Sequence, residues 1–157
     1  MNPYGQLARS CVGLLLTLSV IGCDRFVQQD PNFERTADAP ALIAAAQAET
    51  PLPSNSTFQP IRFNKNDAYE KGYFTFAVQW QAQCKWFMYW LKGYETRDQA
   101  IQNEAVTMLR TIHTWLVYTN ADQSYRTLID SIERKADLGD PTGIREYVRL
   151  NCREINP

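Results

Sequence analysis

The chain has 157 residues, 45% of them hydrophobic, with a formal net charge of −1. Seven Gly and eight Pro exclude collagen-like and Pro/Gly low-complexity sequences. The near-neutral balance lacks the basic face that phosphate neutralisation needs, so no nucleic-acid partner is expected, and one His with four Cys leaves little for a metal or cofactor site.

The N-terminus reads as an address. Arg9 and the terminal amine are followed by an uncharged run of 12 residues, Ser10 to Ile21, rich in Leu and Val. A spanning helix needs about 20 apolar residues, so the run is short for a span and has the length of a signal-peptide core. It closes on Val20-Ile21-Gly22-Cys23, after which Asp24-Arg25 turns polar.

That tetrapeptide resembles the lipobox of bacterial lipoproteins: a branched apolar residue, a small residue at −1, then Cys. The resemblance covers the signal alone, and it departs from the commonest pattern at Val20 and Ile21. It implies that residues 1–22 are a signal peptide and that Cys23 is acylated on sulfur and cut free before its amine. Acyl chains there would hold the protein on a membrane in the bacterial cell envelope. Asp24 resembles the signal that keeps such proteins at the periplasmic face of the inner membrane. The competing reading is an ordinary cysteine beside an ordinary cleavage site.

Processing at Cys23 removes Arg9 and no acid, leaving 15 basic and 17 acidic residues. Cys11 leaves with the signal and Cys23 takes the lipid, so Cys84 and Cys152 remain as a disulfide pair for an oxidising compartment. Two buried free thiols are the alternative. No Cys or His pair sits at metal-ligand spacing.

Residues 23–65 read as a lipidated, largely unstructured tether. Pro31, Pro40, Pro51, Pro53 and Pro60 forbid a long helix, although Ala41 to Glu49 can form a short one. Phe58, Ile61 and Phe63 can lie against the domain that follows.

Residues 66–157 read as an all-α domain, a small bundle of about four helices. The first is expected over Asp67 to Lys92, capped by Asn66 and stopped at Gly93. Its apolar stripe is Tyr69, Tyr73, Phe76, Trp80, Cys84, Phe87 and Leu91, at steps of three and four. The second starts from a Thr96/Gln99 capping box and runs to about Tyr118, with Asn120 as a left-handed stop. Asp122 caps the third, which ends near Gly139, and Asp140-Pro141 starts the fourth, which ends near Cys152.

Helix one carries ten aromatic residues between Tyr69 and Tyr94, more than one stripe uses. Such a helix is either buried on both sides or presents a second face. The second option makes Phe74, Trp86, Tyr89 and Trp90 a partner-binding patch or a homodimer seam. Gln79, Gln81 and Gln83 are solvated positions or ligands for a sugar or peptide. His113 has only Leu109 and Val117 as helical neighbours, which cannot orient an imidazole, so it reads as a bordering core histidine. Arg145, Arg149 and Arg153 line one helix face, with Glu146 and Glu154 beside them. Carboxylates at Glu70, Glu95, Asp98 and Glu104 leave a glycosidase-like acid pair open. The Glu-Ser motif of helical lytic transglycosylases is absent, and so are Walker, dinucleotide, Gly-x-Ser-x-Gly and His-Glu-x-x-His motifs.

The expected function is therefore non-enzymatic: an envelope lipoprotein whose helical domain binds another envelope protein. Accessory, inhibitor and immunity roles all fit, and no catalytic residue is assigned. The alternatives are a cell-wall glycan-binding or glycan-cleaving protein and a dimeric structural spacer.

Overall fold

The structure, a computed structural model, describes residues 32–153; the signal, Cys23 and Asp24 lie outside them. The described chain is all-α apart from one minimal antiparallel pair, β1 (Phe33–Glu34) with β2 (Tyr69–Glu70), in which Phe33 faces Glu70 and Glu34 faces Tyr69. The helices are α1 (Ala39–Glu49), α2 (Tyr73–Thr96), α3 (Gln99–Thr111), α4 (Leu116–Thr119), α5 (Gln123–Asp137) and α6 (Thr142–Asn151).

The four longer helices expected after residue 66 are α2, α3, α5 and α6. Their boundaries shift where capping chemistry decides. Helix α2 starts at Tyr73, because Gly72 takes a left-handed φ of 89° that ends the preceding loop. It then runs through Gly93 and stops at Arg97, which adopts the left-handed cap itself at φ 58°. Gly93 is instead the contact between α2 and α3, where a Cβ would stand 2.9 Å from the Ile101 Cβ and 3.0 Å from the Gln102 nitrogen. The start of α3 is set by Asp98, whose carboxylate accepts from Ala100 N and Ile101 N at 3.0 and 3.1 Å. Thr96 turns its hydroxyl back to the Lys92 carbonyl and forms no capping box.

Helix two is also shorter than expected. It ends at Thr111 in a 3-10 turn, Ile112–Thr114, and Trp115 is extended (ψ 151°) before the single turn of α4. Asn120 stays right-handed at φ −91°. Asp122 caps α5 through Tyr125 N at 2.8 Å, and Asp140 accepts from Thr142 N at 2.9 Å at the head of α6.

Helix α2 is the axis of the molecule. It packs on α1, α3, α4 and α6, while α5 is held by α3 and α6. The core gathers around Trp86, Phe87, Trp90, Leu109, Ile112, Ile129, Ile132, Ile144 and Tyr147. Cys84 and Cys152 form a disulfide with Cα atoms 5.7 Å apart, pinning the end of α6 to the middle of α2.

The stretch expected to be linker divides in two. Residues 23–31 fall outside the described ones, whereas 32–65 carry β1 and α1 and lie along α2. Ala39, Ala46, Thr50 and Pro53 are buried there, and Leu52 and Phe58 pack on the core. The prolines do break helix after Glu49, but the extended chain that results is seated on the bundle.

Candidate functional site

Three of the four proposed patch residues are core. Phe74 and Trp90 have no exposed surface and Trp86 is 3% exposed. This corrects the idea of an open second face on α2. Phe74 sits among Phe63, Tyr69 and Tyr73, with ring centroids 5.3–5.4 Å away. Trp86 donates its indole N–H to the Pro51 carbonyl at 3.0 Å. The chain between α1 and α2 thus covers the face that periodicity leaves outside. Tyr89 alone stays at the surface, half-buried, its ring edge-on to Trp86 and its hydroxyl donating to Glu104 at 3.0 Å. That hydrogen bond raises the Tyr89 pKa.

The exposed face of α2 is, at its N-terminal end, the stripe assigned to the core. Tyr73 and Phe76 are 38% and 40% exposed. With Trp80 and Ile61, both half-buried, and Arg62 they line an open groove of about 930 Å³ between the first turns of α2 and residues 59–62.

The glutamines are structural. Gln81 accepts from Gln59 N at 2.9 Å and donates to Gln59 O at 3.1 Å, tying the extended segment to α2 as a strand neighbour would. Gln79 accepts from Leu116 N at 2.6 Å, supplying from another helix the cap that Trp115 cannot give α4. Gln83, fully buried, accepts from the Tyr125 hydroxyl at 2.9 Å, and Tyr125 meets Tyr147 at 3.0 Å. Burial, above all, drives the pKa of both tyrosines upward. All three amide oxygens are thus engaged inside the protein, and the Gln83 nitrogen, though unpartnered, is sealed in the core.

His113 is exposed rather than a core residue. Its Nε2 lies 3.0 Å from Glu133 and 3.4 Å from Asp130, and its ring packs at 4.5 Å from Tyr118. Tyr118 in turn donates to Asp130 at 2.8 Å, and Arg110 reaches Asp137 at 2.9 Å. These partners come from α5, beyond the reach of sequence-local reasoning. With Nε2 turned to two carboxylates, the imidazole cross-links the 3-10 turn to α5.

The arginine stripe is also engaged internally. Arg145 stands over the Tyr94 ring at 5.3 Å, Arg149 grips Glu146 with two hydrogen bonds, and Arg153 donates to the Arg149 carbonyl at 2.7 Å. Among the carboxylates, Asp98 is a cap and Glu104 holds Tyr89. Among the described residues no cluster of three or more His, Cys, Asp or Glu could hold a metal ion, and no helix is long and apolar enough to cross a membrane.

At the other end of the molecule, Leu138 in the α5–α6 turn is 86% exposed, beside a polar cleft of about 510 Å³ lined by Gln99, Gln102, Asn103, Arg110 and Asp137. Leu150 on α6 is 57% exposed. No family model, curated protein or solved structure matches the chain.

Proposed function

We propose that the protein is an envelope lipoprotein, anchored through acyl chains on Cys23, whose helical domain binds another envelope protein and carries out no reaction of its own. The observation that carries the anchor is the Val20-Ile21-Gly22-Cys23 junction closing an uncharged run of 12 residues. The Cys84–Cys152 disulfide supports an oxidising compartment beyond the inner membrane. Asp24 favours retention at the periplasmic face of that membrane.

The partner face moves from the middle of α2 to the α5–α6 hairpin. Leu138 and Leu150 there are the most exposed large apolar side chains of the described chain, and exposed apolar groups beside polar ones suit a protein interface. The glycan reading drew on a carboxylate and on the glutamines of α2, and the amide oxygens of Gln79, Gln81 and Gln83 accept internal hydrogen bonds.

Two measurements test this. A fatty-acid analogue fed to the producing bacterium labels the protein, and Cys23→Ala abolishes the label and the membrane fractionation. A photo-reactive residue at position 138 then yields one discrete adduct in native envelopes that a photo-reactive residue at Arg134 does not. Absence of label in the unmodified protein refutes the anchor; absence of a position-specific adduct refutes the interface.

A further inference from the structure

We propose that the aromatic groove at the start of α2 docks on the lipid surface to which Cys23 is anchored, so that the domain lies against the membrane by this end. The inference rests on the acylation of Cys23 proposed above. Its occupant is argued from where the chain enters the fold. The carbonyl of Asn32 accepts from Lys71 N at 2.8 Å, which places the entry point two residues before Tyr73, beside the groove. Only eight residues lie between Cys23 and Asn32, and the nine residue-to-residue steps of a fully extended chain span at most about 30 Å. The groove therefore stays within about 30 Å of the acyl chains whatever the orientation of the domain. The 24 residues of α2 rise away from it, about 36 Å to the last turn, and Leu138 lines a cleft with Trp90 and Gln99 toward that far end.

The chemistry of this end fits a bilayer interface. Tyr73, Phe76 and Phe33 are each 38–40% exposed, and Trp80 lines the same groove. Tyrosine and tryptophan settle at the headgroup level, where one edge of the ring is apolar and the other wet. Tethering makes the encounter intramolecular, so a modest aromatic surface is enough to hold the domain down. Charge contributes little: Arg62, Lys65 and Lys71 are nearly balanced by Asp67 and Glu70. Docking should therefore be insensitive to salt, unlike attachment through a basic patch.

The test uses the full acylated protein reconstituted in phosphatidylethanolamine/phosphatidylglycerol vesicles, with plain or brominated acyl chains. Trp86, Trp90 and Trp115 are buried, so Trp80 is the indole that lipid bromine can approach. We expect brominated lipid to quench the unmodified protein at low and high salt alike. Tyr73→Ser with Phe76→Ser should reduce that quenching about threefold or more, since it removes most of the inserted apolar surface. Leu138→Ser at the far end should leave it unchanged. Equal emission from plain and brominated vesicles, with the mass of the lipid on Cys23 confirmed, overturns the docking and leaves the anchor standing. A mass showing unmodified Cys23 overturns the anchor and the docking with it. A second measurement needs no variant: an acyl-chain photo-reactive lipid labels the peptide 59–80 of the unmodified protein. Protein–protein cross-links across the groove in place of that label identify a second copy as its occupant and overturn the proposal.

Discussion

The indole N–H of Trp86 donates to the carbonyl of Pro51 at 3.0 Å, so a residue of the central helix satisfies the chain that crosses over it. The bond is partly buried and joins positions 35 apart in sequence. It explains why an aromatic-rich helix here has no bare second face.

Trp86→Ala should destabilise the domain by about 3–5 kcal/mol, the cost of truncating a buried tryptophan. Trp86→Phe keeps most of the apolar contact and leaves the Pro51 carbonyl unpaired, which costs about 1–2 kcal/mol. Urea unfolding followed by circular dichroism separates the two. A Trp86→Ala protein as stable as the parent would place Trp86 at the surface after all.

The disulfide closes a loop with a sequence separation of 68. In the chain-entropy description such a bridge contributes about 4 kcal/mol by restricting the unfolded state. Cys84→Ser with Cys152→Ser should lower the melting temperature sharply, and a reducing agent should lower that of the parent by a comparable amount. A melting curve indifferent to reductant would show that the bridge is not formed.

Two glycines should respond differently to alanine. At Gly93 the added Cβ meets Ile101 and the backbone nitrogen of Gln102, so α2 and α3 must separate; overpacking of this kind costs about 1–3 kcal/mol. At Gly139 nothing lies within 4 Å, and the cost is that of a left-handed φ of 73°, about 1 kcal/mol. Thermal unfolding of the two variants gives the order, with Gly93→Ala the less stable.

Tyr147 and Tyr125 set the alkaline limit. Burial is the main cause that raises both above the ordinary tyrosine value of 10.0, and for Tyr147 the neighbouring Tyr125 adds to it. The folded state therefore favours the neutral hydroxyls, while the unfolded chain releases those protons near its ordinary value. Stability is fully present below that value and is lost as pH rises through it toward the folded pKa. Unfolding free energy should be flat at about pH 8 and fall above about pH 10, with a shallower fall in Tyr147→Phe. Absorbance of tyrosinate should show two late hydroxyls that ionise only with unfolding. A parent slope no steeper than that of Tyr147→Phe would remove Tyr147 from this role.

Gln79 is a further tie between α2 and its neighbours. Gln79→Leu removes the acceptor of Leu116 N and, at 3.3 Å, of Val117 N. Part-buried donors left unpaired cost about 1–3 kcal/mol. Hydrogen exchange at Leu116 and Val117 should speed up ahead of global unfolding. Unchanged protection at both amides would mean that Gln79 does not cap α4.

The sequence by itself determined the all-α class, the four longer helices after residue 66, the Asp122 cap and the cysteine pair. Each follows from local periodicity, local capping or simple counting, which need no tertiary contact. It also held the lipobox-like address, which is read from order alone. Only the tertiary structure decided which face of α2 is inside. Phe74 and Trp86 are buried because residues 50–63 return along them, and Tyr73 and Phe76 stay partly exposed because the same segment leaves an open groove beside them. The helical period of α2 contains both faces equally, so it cannot choose between them. The same holds for His113 and the glutamines. Their partners lie 17 or more residues away, at Asp130, Glu133, Gln59, Leu116 and Tyr125. Hydrogen bonds of that reach are made by packing, and sequence spacing carries no trace of them.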